Sequence, residues 1–389
     1  MDSIVDFKVK TVNELITGDI VLHPVYRSDG LLFVKRYKRL TDSVIRHLKR
    51  HFPLDYPIVV TRSQDSLRAI AEEQEGMPKE FYRQLEQVFK THQKYIQIPL
   101  KRELYGIGDK GKENVDFLNQ IHPDIMAPMW EVFERTFDSK RLLERAKRLD
   151  GKLNHLISKD RTLLSLFLKI YNFHDELVVH SLNTTCIAIM IGLSLELSDD
   201  ELTDLALATL FADIGYTGVA KTKFTQYLNT GKLDAELVTE HVRLSVEIIA
   251  QSSYCRRKNI VYGILDHHEY YDGSGLPNQK AGSDIHLFGR IIAIAQFYDE
   301  LMGGYFKGES LLSFEALEEI WKERGKKMDP AILRVFIDKS RIYKVGESIQ
   351  LSGNELATVI GFKDYIRYPL HPIVIKASGQ LYDCSARLL

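Results

Sequence analysis

Six side chains of this 389-residue chain are of the types that ligate divalent metals and recur at telling places: Glu176, His180, Asp213, His241, His267 and His268. Glu176 and His180 stand four apart, so a helix would put them on one face. Asp213 closes an apolar run in the segment FADIGYTGV. His241 lies within EHVRLSVEII, and the adjacent pair His267-His268 leads through Glu269 into the turn-rich loop YYDGSGLP, residues 270–277. Neutral imidazoles and carboxylates converging from several helices are what a first-row divalent ion requires. Each residue alone has an ordinary explanation. Glu176 and His180 would serve as an i,i+4 surface pair. Adjacent histidines suit a helix C-terminus, and DGSG is a common turn.

Order and spacing decide the matter. The string DHHEYYDGSGLP resembles the HHE…DGSGYP signature of the HD-GYP family. The likeness extends outward over roughly residues 150–340. His180-Ser181 is similar to the family's HS element, FADIGYTGV to LHDIGKIGI, and GKLDAELVTEHVRLSVEII to its GKLT…H…G…IL stretch. GRIIAIAQFYDEL resembles the ARI…VAD.FDAL helix, and EALEEI and the MDP start of a later helix also fit. His155 and His174 fall outside the pattern and are read as structural or surface; His286 lies in a matched loop without a ligand role.

The resemblance implies a cyclic di-GMP phosphodiesterase in which two or three metal ions, iron or manganese, bind the phosphate and activate a hydroxide. Carried over residue by residue, the ligand positions are Glu176, His180, Asp213, His241, His267 and His268, with Asp213 the catalytic carboxylate of any active form. Asp272, Gly273, Ser274 and Gly275 of the loop, with the cations Lys280 and Arg290, fall where substrate would bind. Two ligand positions are lost: Ala212 stands where the family has the HD histidine, and Gln296 where it has the AD aspartate. Tyr216 replaces the lysine after the HD glycine, Leu276 replaces the tyrosine of GYP, and Gly304-Tyr305-Phe306-Lys307 erodes the RPY element. The losses concentrate on the subsite of His180, so the expectation is one divalent ion (Fe, Mn or Zn) at His241, His267, His268 and Asp213, not a full two- or three-metal centre.

The elements that must position these groups are helical. Apolar residues recur at three- and four-residue spacing over 127–149, 153–171, 174–193, 199–212 and 234–250, with further helices at 256–267, 287–302, 313–323 and 330–338. Ser198-Asp199-Asp200 and Asp329-Pro330 mark two starts. Residues 220–233 read as a polar loop, and no strand pattern is visible between 117 and 340. Residues 1–62 read as a small α+β unit. Its strands are at Ile20–Tyr26 and Leu31–Lys38 about a turn at Ser28-Asp29-Gly30, followed by a helix capped by Thr41 and a strand at Pro57–Val60. Residues 63–149 are a charged connector, with a helix near Glu80–Lys90, and leading helices. Residues 341–389 form a small β-rich unit with strands at Gly346–Leu351, Leu356–Phe362, Ile373–Ala377 and Gln380–Asp383. The fold class expected is mainly α: an HD-type helical bundle with small β-containing units at both ends. The N-terminal unit is expected to dock on the bundle without reaching the metal.

Composition narrows the partners. Lys plus Arg is 52 against 53 for Asp plus Glu, so bulk charge gives no sign of DNA binding. Three separated cysteines argue for a reducing compartment and against a cysteine zinc site. There is no apolar signal core and no run approaching 18 apolar residues, so a cytoplasmic protein without a membrane span is expected. The preferred reading is a degenerate family member that binds cyclic di-GMP or a signalling protein partner with little or no hydrolysis. The alternatives are an active phosphodiesterase with a reduced centre and a scaffold that binds no nucleotide.

Overall fold

A computed structural model describes residues 7–27, 32–35, 37–63, 140–231, 234–303, 310–340, 346, 348–351, 355–365 and 368–387. The expected turn at 28–30, the connector helix at 80–90 and the eroded segment 304–307 lie outside these residues.

The N-terminal unit pairs β1 (Lys8–Thr11) and β2 (Ile20–Val21) antiparallel on either side of β5 (Pro57–Thr61), beside the hairpin of β3 (Val25–Tyr26) and β4 (Leu32–Val34). The single strand expected over Ile20–Tyr26 is broken in two. Pro24 in the gap has no amide to give to a ladder. Helix α1 (Asp42–His51) starts at Thr41, whose hydroxyl accepts the Val44 amide.

The central helices are α2 (Lys140–Lys159), α3 (Arg161–Phe173), α4 (Asp175–Ser194), α5 (Asp199–Leu210), α6 (Lys221–Thr230), α7 (Ala235–Ile249), α8 (Lys258–Asp266), α9 (Leu287–Gly303), α10 (Ser313–Lys322) and α11 (Pro330–Ser340). No strand occurs among the described residues from 140 to 340, so the mainly α expectation holds. Two boundaries differ. Helix α2 runs through the expected break near residue 151, because Ala146, Leu149, Leu153 and Ile157 keep one buried stripe across it. The segment expected as a polar loop at 220–233 contains α6. Of its few apolar residues, Phe224 and Tyr227 are buried and Leu228 packs half-buried beside them, and tertiary packing overrides a weak sequence period.

Helix α4 is the axis of the bundle. It is buried from Leu177 to Leu193 and packs against α3, α5, α9 and α11. It is also the one described helix long and apolar enough to cross a membrane, yet 94% of its apolar window is buried inside the protein. At the start of α5, Ser198 and Glu201 form a reciprocal capping box, worth about 1 kcal/mol. Beyond the bundle, β6 (Ser348–Leu351), β7 (Glu355–Gly361), β8 (Ile373–Lys376) and β9 (Leu381–Asp383) make an antiparallel meander.

One close approach sets the geometry of the site. After α5 the chain turns through Asp213 into a short 3-10 segment, Ile214–Gly218, that lies on α7. Ser245 of α7 fastens this turn: its Oγ accepts the Gly215 amide at 2.8 Å and donates to the Ala212 carbonyl at 2.6 Å. A Cβ on Gly215 would fall 1.9 Å from the His241 carbonyl oxygen. Gly215→Ala is therefore expected to push α7 away from Asp213 and to destabilise the domain by about 1–3 kcal/mol, as overpacking does. Denaturant unfolding of the variant checks this, and a midpoint equal to that of the parent would contradict it.

Candidate metal centre

Asp213 is buried at the point where α4, α7, α8 and α9 converge. Its Oδ1 lies 3.6 Å from Nε2 of His241 and 3.6 Å from Nε2 of His267; its Oδ2 lies 3.6 Å from Nε2 of His180. Nε2 of His268 is 3.1 Å from Nε2 of His241. Asp213, His241, His267 and His268 each offer one ligand atom, all within 4.8 Å of one another.

These separations fit a metal better than a hydrogen-bond network. Donors 3.6 Å apart are too far for a good hydrogen bond. They are close to the edge, about 3.4 Å, of a tetrahedron with ligand bonds of about 2.1 Å. Nε2 of His267 is buried and has no hydrogen-bond partner, a costly state that a cation would relieve. The opposite ring nitrogens are already engaged, which fixes which nitrogen faces inward. His241 Nδ1 meets the Leu237 carbonyl at 2.8 Å, His267 Nδ1 the Ile264 carbonyl at 2.6 Å, and His180 Nδ1 meets Asp299 Oδ2 at 2.9 Å.

Charge states agree. Burial pushes the His241 imidazole down to about 4. His268 is pushed well below its ordinary value by burial and by the charges of His267 and His241. Both are thus neutral ligands near pH 7. Burial would raise the Asp213 carboxyl, but His267, His180 and His241 more than reverse this and hold it well below the usual carboxylate range. Burial lowers His180, but Asp299, then Asp213 and Glu300, reverse that and leave it raised.

The remaining positions are placed as follows. Ala212 is fully buried, and Gln296 donates its amide Nε2 to Asp213 Oδ2 at 2.6 Å. Glu176 is not brought to this cluster. Its carboxylate faces His174 at 2.6 Å and Lys38 at 3.8 Å, because α4 has barely begun at Glu176 and Lys38 of the N-terminal unit lies beside it. Tyr216 stacks on His241 with 4.2 Å between ring centroids, filling one side of the site with a buried phenol. In the loop, Asp272 accepts the amide and hydroxyl of Ser274, and Gly273 has φ +83°. A Cβ on Gly275 would lie 2.0 Å from the Tyr270 amide nitrogen. Lys280 pairs with buried Asp266 at 2.7 Å, and Arg290 with Asp329 at 2.7 Å, so both cations fasten the protein to itself. Glu269 accepts the amides of Asn278 and Lys280, and the Leu276 amide donates to the His268 carbonyl, tying loop to ligand.

Residues 142–332 match the HD domain family. The chain is 27% identical over 198 residues to the cyclic di-GMP phosphodiesterase response regulator RpfG of Xanthomonas campestris, covering 49% of this chain and 51% of that protein. It is 30% identical over 205 residues to the cyclic di-GMP phosphodiesterase PA4108 of Pseudomonas aeruginosa, covering 51% and 47%. These matches support a member of the HD-GYP family. The chain spans about half the length of these two curated relatives. Among solved structures, an HDG"Y"P protein of Bdellovibrio bacteriovorus aligns at 17% identity and TM-score 0.38, over 86% of this chain and 99% of that one.

Sequence reasoning on the HD-GYP pattern missed Asp299, Asp266, Glu269 and Ser245, which hold ligands and loop from behind. All four stand inside the matched strings, so position relative to the ligands was the available signal.

A pH dependence follows from the buried imidazoles. His241 titrates near 6.5 in an unfolded chain and near 4 here, so the unfolded state binds its proton first. That contribution to stability is present above about pH 6.5 and is lost as the pH falls toward 4; raised His180 works in the opposite sense. Metal-free protein is expected to lose stability over this window, and His241→Asn to flatten the slope, as read by urea unfolding at pH 7 and pH 5. An equal slope in both proteins would count against a neutral buried His241.

Proposed function

We propose that this HD-GYP protein binds cyclic di-GMP at a centre holding one divalent ion (Fe, Mn or Zn), and that it hydrolyses the nucleotide at no more than a background rate. The observation that carries the reading is the contact of Gln296 with Asp213. An amide N–H occupies the carboxylate oxygen that faces His180, where a second ion would need a free lone pair. Ala212 supplies no imidazole beside it. The ligands of the single ion are Asp213, His241, His267 and His268. When bound, the ion supplies a positive charge that polarises a phosphate oxygen.

The chain's own groups then do the recognising. The backbone of Asp272, Gly273, Ser274 and Gly275 offers a turn that leads on from His268, and Lys280 and Arg290 brace the surrounding backbone through Asp266 and Asp329. Tyr216, in place of a cation, leaves developing phosphate charge without an offset on that side. Binding without turnover suits a signalling protein that passes a conformational change to a protein partner in the cytoplasm. The relatives named above are called cyclic di-GMP phosphodiesterases, which supports the nucleotide as ligand.

One observation favours the alternative of an active enzyme with a reduced centre. His180 keeps its aspartate partner and still aims Nε2 at Asp213, so part of the second subsite persists.

Elemental analysis is expected to give at most one tightly bound ion per chain. Calorimetry should show cyclic di-GMP binding, with turnover at background even with added manganese or iron. Ala212→His combined with Gln296→Asp should raise the metal content to two. Two ions in the parent protein, or rapid turnover by it, would overturn the reading in favour of the active enzyme.

A further inference from the structure

The N-terminal unit meets the bundle where the helices carry His180 and Asp299. Strand β4 lays its backbone along Asn183 of α4: the Leu32 amide donates to Asn183 Oδ1 at 3.0 Å, and Asn183 Nδ2 donates to the Leu32 carbonyl at 3.0 Å. That same Nδ2 donates to Asp299 Oδ1 at 3.0 Å. Arg27, only 4% exposed, brings its Nη1 to 3.4 Å from the same Oδ1. The other oxygen of Asp299 engages His180 Nδ1. At the edge of the interface, Lys35 and Lys38 pair with Asp175 of α4.

A buried carboxylate with both oxygens engaged is held against rotation. Asp299 is 0% exposed; Arg27 and Asn183 hold Oδ1, which leaves Oδ2 for His180. A carboxylate that accepts from Nδ1 fixes the proton on that nitrogen and turns Nε2 toward Asp213. We propose that Arg27 is a positioning residue for His180, acting through Asp299, so that docking of the N-terminal unit and the orientation of His180 are coupled. Coupling of this kind is reciprocal: whatever displaces the unit loosens His180, and whatever holds His180 in place favours the docked unit. The N-terminal unit was expected to dock without supplying a metal ligand. The proposal gives it a role at the centre from two side chains away.

The test uses the full chain, without metal or nucleotide, so its outcome is independent of the proposed function. Imidazole nitrogen–proton correlation spectra at fixed pH report the tautomer of His180, and hydrogen exchange reports the Leu32 amide. In the parent protein, with the His180 ring neutral, its proton should sit on Nδ1 and the Leu32 amide should be protected. Arg27→Met, close in volume, should shift His180 to a mixed tautomer and speed Leu32 exchange by roughly 100- to 3,000-fold, the scale of stripping one partner from a buried ion pair. Arg27→Lys should restore both in part. Lys35→Met should speed exchange only slightly and leave the His180 signal unchanged. A folded Arg27→Met protein with the parent's His180 tautomer would overturn the proposal. So would a Lys35→Met protein that moves His180 as far as Arg27→Met does. Should Arg27→Met fail to fold, Arg27→Lys decides: a His180 signal untouched while Leu32 exchange rises would likewise overturn it.

Discussion

The buried charge of Asp213 is the constraint around which the helical domain is arranged. A carboxylate removed from water must be met by positive or proton-donating groups, or it will take up a proton. Here it remains ionised, held by imidazoles from three helices and by one amide. Everything that matters for chemistry is the answer to one question: what offsets that charge. Toward Oδ1 lie the ring nitrogens of His241 and His267 at metal-ligand spacing, with His241 kept neutral by burial. Toward Oδ2 lie His180 and the Gln296 amide.

The arrangement works because the imidazoles are held from behind by rigid elements. The carbonyls of Leu237 and Ile264 are helix groups one turn from the rings they bind. His268 is carried at the root of the DGSG loop, whose path is fixed by Glu269 and by the hydrogen bonds of Tyr271 and Asp272 to the Lys326–Lys327 backbone. Ser245 pins the turn after Asp213 to the helix that bears His241. Such second partners are what make a ligand set precise enough to select an ion.

Much of this was legible in the sequence because histidine and aspartate are chemically explicit and helices repeat strongly. His180, Asp213, His241, His267 and His268 could be read from spacing and resemblance, and the helices bearing them from apolar period. Glu176 was misread as a companion of His180, since helical spacing says which face a residue occupies and not what lies opposite; Lys38 and His174 lie opposite. Lys280 and Arg290 were assigned to substrate binding, and their pairing was not visible because their partners Asp266 and Asp329 are fourteen and thirty-nine residues away in sequence. Arg27 lies 272 residues from Asp299, and no local pattern links them. Helix α6 was hidden because a helix can be held by two buried aromatics and one half-buried leucine while most of its surface is polar.

Under the single-ion proposal, Ala212 and Gln296 make sense together when the charge is counted. An aspartate at position 296 would place a second carboxylate against Asp213, and two buried carboxylates at hydrogen-bond distance cannot both stay ionised without a cation between them. Glutamine removes that charge and supplies a donor in the same place, at 2.6 Å from Oδ2. Alanine at 212 removes an imidazole that would have had nothing left to ligate. Under the proposed single-ion reading, one dication faces one carboxylate among neutral imidazoles. Asp299, which would be another uncompensated charge, is met by His180, Asn183 and the guanidinium of Arg27. The N-terminal unit thus belongs to the charge balance of the centre: it brings a permanent cation against the carboxylate that holds His180.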